Sequence, residues 1–283
     1  NSWKEWRIGR VRIINHGWYA GAGAGIGVLV AGAALGREWY WAAVWVSSCV
    51  LIGAGALAQW LEGSPQLLRP FGWYGGVLGG VLGGCIAGLA GVPLLPLLAS
   101  FAIAAPWVQI FGRLRCLVQG CCHGGPATAA VGISYRHPRS RVTSIAGLAG
   151  VPVHPTPLYS IAGNLLLGVI LIRLRILGAP DPLVLGGWFM LSGIARFVEE
   201  SYRAEPQTPV VGGLRIYQWF AIISLVAGIL CTLLPSVSRP GGFAAPTGSL
   251  LGAALAFLLI TTFAMGVDFP DSNRRFSRLA PAD

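Results

Sequence analysis

Charge is what this sequence has least of. Only 11% of its 283 residues are charged, against 54% hydrophobic, and the mean hydropathy is +0.67. A soluble single domain of this length has no need of so much apolar surface. The basic excess, a formal +10, lacks the stripe of interleaved aromatics that marks a nucleic-acid groove. That excludes nucleic acid as the expected partner and favours anionic lipid headgroups. A convincing small-residue cleavage site after the first apolar run is also missing, so that run reads as a permanent helix. With no internal duplication and no second domain in view, residues 1–283 read as a single polytopic membrane domain.

What is present in quantity is apolar sequence at membrane length. A transmembrane helix needs roughly 20 mostly apolar residues. Such stretches lie near 18–35, 42–60, 72–91, 92–111, 157–172, 183–197, 216–234 and 249–267. The expected fold is an all-α integral membrane protein of seven or eight transmembrane helices with one longer extramembrane loop. Between the third and fourth runs, Gly91, Pro93 and Pro96 predict a tight hairpin, with a re-entrant segment buried in protein as the alternative. Gly75-Gly76, Gly79-Gly80 and Gly83-Gly84 recur every four residues and give one helix a bare stripe for close backbone packing. Trp18, Trp39, Trp41, Trp60 and Trp107 stand at span ends and read as interfacial anchors. Lys and Arg crowd the side shared by both termini, which under the positive-inside rule makes that side cytoplasmic. The tail from Asp268 to Asp283 is polar and expected to fray.

Polar chemistry is concentrated in two places. The first is residues 112–156, expected to be the longest extramembrane stretch, which opens with Gly112-Arg-Leu-Arg-Cys-Leu-Val-Gln-Gly-Cys-Cys-His-Gly-Gly-Pro126. Arginine near a bilayer is a functional hypothesis by default, because its planar guanidinium matches a phosphate through two hydrogen bonds. The alternative is that Arg113 and Arg115 snorkel to headgroups. Cys49, Cys85 and Cys231 lie in apolar runs and read as small buried hydrophobes. Cys116, Cys121 and Cys122 leave four readings open: structural thiols, a metal site, a redox pair, or a thiolate activated beside His123. Zinc sites usually show two separated ligand pairs, and no second pair is present.

The second place follows the sixth run, where Arg196, Glu200 and Arg203 fall at i, i+4 and i+7 and share a helix face. A second arginine on that face leaves positive charge over, as an anionic phospholipid site requires. The two places lie on the same side of the membrane if the fifth and sixth runs separate them. His154-Pro155-Thr156-Pro157-Leu158-Tyr159 opens the fifth run, with Pro placed in the first turn where it costs nothing. His154 is open to a plain capping role.

Taken in order, these motifs resemble the prolipoprotein diacylglyceryl transferase family from the third to the seventh run. Tyr74-Gly75-Gly76 stands where that family has His-Gly-Gly. Gly112-Arg113-Leu114 through Gly120 and Gly124 is similar to its Gly-Arg-x-Gly-Asn-Phe-x-Asn-Gly-Glu-x-x-Gly signature. His154-Pro155 with Leu158-Tyr159 resembles its His-Pro-x-x-Leu-Tyr, and Arg196 to Arg203 its Phe-Arg-x-x-x-Glu-x-x-Arg. Tyr217-Gln218 is similar to the start of its last shared helix. The shared core then covers about 18–234, with an additional C-terminal helix at about 249–267.

The resemblance implies a transferase of the bacterial inner membrane, acting at its outer face. It moves the diacylglyceryl group of phosphatidylglycerol onto a lipoprotein-precursor thiol, or another nucleophilic acceptor, and releases glycerol phosphate. Neither a cofactor nor a metal is implied. Arg113 and Arg196 would hold the departing phosphate, supported by Arg203 and Glu200. Gln119, Cys116, His154, Tyr159 and Gln218 fall at substrate-binding positions. The family's acid/base positions are replaced here: His by Tyr74, Asn by Cys116 and Gln119, Glu by Cys121. Basicity is then expected from Cys121, Cys122 or His123. The competing readings are a thiol redox or metal-binding membrane protein on the same scaffold, and a noncatalytic lipid-binding subunit of a membrane complex.

Overall fold

The structure is a computed structural model that describes residues 5–9, 11–14, 17–62, 73–138, 140–204, 209–235 and 240–268. Helices dominate: α1 Gly17–Leu35, α2 Tyr40–Glu62, α3 Trp73–Leu89, α4 Leu94–Gln119, the one-turn α5 Arg141–Ser144, α6 Thr156–Ile176, α7 Asp181–Tyr202, α8 Ile216–Thr232 and α9 Gly248–Gly266. Short strands join them: β1 Glu5–Ile8, β2 Val11–Ile14, β3 Ile133–Ser134, β4 Pro152–Val153, β5 Val210–Val211, β6 Leu214–Arg215 and β7 Val267–Asp268. Among the described residues, eight long helices overlap the eight expected runs. Helices α1, α2, α4, α6 and α9 are long and apolar enough to cross a membrane, while α3 and α8 supply shorter apolar segments. Helix α7 is the one that carries Arg196, Glu199 and Glu200.

Two compact units share these elements, Asn1–Ala104 with Gly242–Asp283, and Ala105–Gly241. In the first unit the glycines do what their spacing predicts. A Cβ on Gly83 would lie 2.8 Å from Cys49 Cβ, and one on Gly53 would lie 2.9 Å from Gly79 Cα, so α2 and α3 pack backbone to backbone. The stripe is one-sided, since Gly84 has nothing within 4 Å. Helices α1 and α9 meet the same way, with Gly25 against the Ala254 carbonyl and Gly32 against Leu250. Ala31, Leu35, Ala42, Val46 and Leu97 form the buried core beside them. Between α3 and α4 the chain turns at Gly91, whose φ of +89° suits glycine, and Val92 N–H donates to the Ala87 carbonyl at 3.0 Å. The expected tight turn is therefore present. Strands β1, β2 and β7 make an antiparallel sheet in which Asp268 pairs with Arg12, so the first residue of the stretch expected to fray is held in a strand; the rest of that stretch lies outside the described residues.

In the second unit α7 packs on α8 and α6. A Cβ on Gly186 would lie 2.6 Å from the Gly228 carbonyl oxygen, and one on Gly193 would lie 2.8 Å from that of Ala221. The outward faces expose Leu166, Val169, Val198, Ile223 and Ile229. Apolar patches of this kind are a liability in water and suit lipid.

Two expectations are corrected here. Helix α4 does not end near residue 111 but runs to Gln119, so Arg113, Arg115, Cys116 and Gln119 sit on a helix and not in a loop. Nothing between Gly112 and Gln119 breaks a helix, and the first residue that does is Gly120, at φ +64°. Trp107 is consequently mid-helix, its ring 3.0 Å from where a Gly168 Cβ would stand, which makes it a packing residue and not an interfacial anchor. Trp18 and Trp41 are exposed and keep the anchor reading. The side chain of Trp60 lies outside the described residues.

Candidate active site

At one end of the second unit meet the C-terminus of α4, the N-terminus of α6, the C-terminus of α7 and the N-terminus of α8. An even number of helices separates the two arginine clusters, and the structure brings them into contact as expected. Their hub is Glu199, which lies 3.1 Å from Arg196 Nη1, 2.7 Å from Arg203 Nη2 and 3.6 Å from Arg113 Nη2. Glu200, fully buried, lies 2.9 Å from Arg196 Nη2, 3.8 Å from Arg203 Nε and 4.0 Å from Arg215 Nη1. Four guanidinium groups, those of Arg113, Arg196, Arg203 and Arg215, thus surround two carboxylates. Arg196 also lies over the Tyr217 ring at 5.1 Å, a second restraint on its plane.

Arg113, Arg196 and Glu199 line a cavity of about 450 Å³, together with Tyr159, Gln109 and Asn164. Ligand pockets of this size take a small polar head and leave room for an apolar body. Asn164 is oriented by its Nδ2 donating to the Ser160 carbonyl at 2.8 Å.

A short ladder built on Gly124 fixes this end of the unit. Gly124 N–H donates to the His154 carbonyl at 2.9 Å, Gly125 N–H to the Tyr202 carbonyl at 3.1 Å, and His154 N–H to the Gly125 carbonyl at 2.9 Å. Gly124 also bridges Arg203. A Cβ on Gly124 would stand 2.5 Å from His154 Cβ and 2.7 Å from the Tyr202 carbonyl oxygen, so only glycine fits. His154 Nδ1 lies 3.0 Å from the Tyr159 hydroxyl, and the His154 and Tyr202 ring centroids are 5.2 Å apart. His154 is therefore tied to a cavity-lining tyrosine as well as to the ladder.

Beyond α4 the chain doubles back through Gly120 and Cys122, the latter at φ +59°, the one left-handed non-glycine among the described residues. That turn brings the sulfurs of Cys116, Cys121 and Cys122 within 4.8 Å of one another. Hydrogen bonds from Cys116 and Cys121 hold the Cys122 thiol below its ordinary range, and the thiol contacts with Cys116 and Cys122 push Cys121 above it. Cys121 Sγ lies 3.7 Å from Gln119 Oε1. The Cys122 carbonyl accepts a hydrogen bond from Thr156 Oγ1 at the start of α6. His123 is buried, with Nδ1 2.8 Å from the Gly124 carbonyl oxygen; that oxygen only accepts, so Nδ1 is the donor. Nearby, burial pushes the Tyr135 phenol up to about 12 while its hydroxyl donates to the Leu117 carbonyl at 2.7 Å.

Of the remaining expected site residues, Gln218 is held by local hydrogen bonds. Its Oε1 accepts from Arg215 N–H at 3.0 Å, capping α8, and its Nε2 donates to Ser201 Oγ at 3.3 Å. Tyr74 falls in α3, and its side chain lies outside the described residues. Glu199 was not among the expected site residues, although it stands three residues after Arg196 and four before Arg203, spacing that puts it within reach of both. Gln109 and Asn164, on the cavity wall, gave no local signal beyond a polar residue in an apolar run.

Comparison with known proteins points the same way. A family model for prolipoprotein diacylglyceryl transferase matches residues 67–234, more than half of the chain. Phosphatidylglycerol–prolipoprotein diacylglyceryl transferase 2 of Clostridium perfringens (strain 13 / Type A) is 33% identical over 122 residues, 43% of this chain and 45% of that protein. Phosphatidylglycerol–prolipoprotein diacylglyceryl transferase of Clostridium tetani (strain Massachusetts / E88) is 26% identical over 121 residues, 43% of this chain and 46% of that protein. Each match thus spans under half of the relative's length. The arginine motifs, the helical architecture and the extent of the family match together establish that this chain is a multi-pass membrane protein belonging to the prolipoprotein diacylglyceryl transferase family.

Proposed function

We propose that the chain transfers a diacylglyceryl group from phosphatidylglycerol, or a related anionic phospholipid, to a nucleophilic acceptor, most simply the thiol of a lipoprotein precursor, in a bacterial inner membrane. The observation that carries the reading is the pair Arg113 and Arg196 on one cavity wall, both held by Glu199. A phosphodiester holds one negative charge, and the glycerol phosphate that leaves gains a second as the carbon–oxygen bond breaks. Guanidinium groups fixed in advance by Glu199 and Glu200 stabilise the second charge more than the first, which is what lowers a barrier. Arg203 acts through Glu199, holding it for the other two arginines. The apolar helix faces beside the cavity suit the acyl chains, and Asn164, Gln109 and Tyr159 supply polar groups for the glycerol end.

The names of the two clostridial relatives support phosphatidylglycerol as donor and a prolipoprotein as acceptor. The test is release of labelled glycerol phosphate from phosphatidylglycerol by the purified protein, supplied with a lipobox peptide. Release that falls in Arg113→Ala and Arg196→Ala supports the reading. Bound intact lipid without turnover would reduce the chain to a lipid-binding subunit.

A further inference from the structure

Cys121 and Cys116 stand where the family signature has Glu and Asn, and Cys122 lies beside them. We propose that Cys116, Cys121 and Cys122 form a three-sulfur site for one thiophilic divalent metal ion of the zinc class, with Gln119 as a weak fourth ligand that an incoming acceptor thiol displaces. The geometry carries the metal site on its own. Zinc–sulfur bonds of ~2.3 Å on a tetrahedron set the sulfurs ~3.8 Å apart. The three sulfurs here all lie within 4.8 Å of one another, so a small inward rotation of the side chains brings them onto one ion, and Gln119 Oε1 stands beside the set, 3.7 Å from Cys121 Sγ. In sequence the set lacks a second ligand pair. In space it gains Cys116, because α4 continues to Gln119 and the left-handed turns at Gly120 and Cys122 fold the adjacent cysteines back onto it.

The surroundings suit such a complex. Three thiolates and a divalent ion carry one net negative charge. Arg113 lies one helical turn before Cys116 on α4, and Arg203 is bridged to Gly124, two residues after Cys122. Zinc and other borderline-soft ions prefer sulfur donors, whereas hard cations prefer oxygen. The three thiols are half-buried and not sealed, which leaves the fourth position reachable.

The use of this site rests on the transferase reading. A thiol that replaces Gln119 on the metal loses its proton to solvent, since a coordinated thiol is deprotonated. Its sulfur then forms a bond to the glyceryl carbon while the carbon–oxygen bond to phosphate breaks. The electron pair leaves with glycerol phosphate beside Arg113 and Arg196, and the neutral thioether departs from the metal. No redox change occurs, and the lost proton is the only other product.

Metal retention tests the site without turnover. The full-length protein, purified in detergent, reduced anaerobically, loaded with zinc and freed of excess, is expected to hold about one zinc per chain, and cobalt loading should give the intense visible bands of tetrahedral sulfur-bound cobalt. Cys85→Ser, on α3 and outside the three-sulfur set, should keep both properties, whereas Cys121→Ser and Cys122→Ser should lose them. Should those variants fail to fold, maleimide labelling of the parent gives the same answer: bound zinc is expected to shield Cys116, Cys121 and Cys122 and leave the labelling of Cys49, Cys85 and Cys231 unchanged. No retained metal in the reduced parent, or no shielding of those three thiols, overturns the proposal. The acceptor role is read separately. Glycerol phosphate release that depends on zinc supports it, and release unchanged by stripping the metal overturns it while leaving the transferase reading intact; zinc held without release under any condition defeats the transferase reading and not the metal site.

Discussion

Arg196→Ala removes the most connected guanidinium on the cavity wall. The side chain loses contacts of 3.1 Å to Glu199 and 2.9 Å to Glu200, and its place over Tyr217. Glu199 keeps Arg113 and Arg203, but Glu200 is left with partners only at 3.8 and 4.0 Å. Loss of one charge-assisted contact to a buried carboxylate costs about 2 kcal/mol in stability. Loss of a donor aimed at the developing phosphate charge lowers kcat by roughly 100- to 1,000-fold. The two effects separate in Arg196→Ala/Glu200→Gln, where neutralising the stranded carboxylate should recover much of the unfolding temperature and none of the turnover. Arg196→Lys keeps the charge but not the two-pronged geometry, and should recover about tenfold of the lost rate. The assays are glycerol phosphate release and thermal unfolding in the same detergent. Turnover of Arg196→Ala within about threefold of the parent would refute the reasoning, because a transition-state contact worth under 1 kcal/mol is no phosphate clamp.

Other consequences follow from neighbouring contacts. Gly124→Ala forces a Cβ against His154 and the Tyr202 carbonyl; we expect about 1–3 kcal/mol of destabilisation and a matching loss of lipid turnover, whereas Gly84→Ala, in open space, should be silent in both assays. Glu200→Ala removes a fully buried carboxylate from between the buried Arg203 and the partly exposed Arg196 and Arg215, so stability should fall by about 2–3 kcal/mol, read as a loss of folded protein on size exclusion. Tyr135 holds its proton to about 12 when folded, above the ~10 of an exposed phenol. The folded state therefore binds more protons through that window, and stability should fall between pH 10 and about 12 in the parent and stay flatter in Tyr135→Phe.

The lipid side of the site was legible because helix geometry is periodic. Arg196, Glu200 and Arg203 had to share a face, and two intervening helices had to return that face to Arg113's end of the unit. The glycine stripe was legible for the same reason, since a four-residue repeat of missing side chains has one structural use in a bilayer. Less could be read where the answer depended on where a helix stops. Residues 113–119 looked like a loop because they are polar, yet they contain no breaker, and α4 carries them on to Gly120. Trp107 was misplaced by the same error. The convergence of the three thiols needed a positive φ at Cys122, which an L-residue adopts only under tertiary constraint. Glu199 was visible in the spacing but was passed over, because Glu200 satisfied the simpler i, i+4 pattern with Arg196.

The claim most in need of testing is that the arginine-lined cavity holds a phospholipid phosphate. An experimental density map of the protein in phosphatidylglycerol nanodiscs addresses it directly. The account predicts headgroup density within hydrogen-bonding distance of both Arg113 and Arg196, with acyl chains running along the apolar helix faces and the glyceryl carbon toward Cys122. A cavity that stays empty of lipid in a bilayer rich in phosphatidylglycerol, with headgroups ordered elsewhere on the protein, would contradict it.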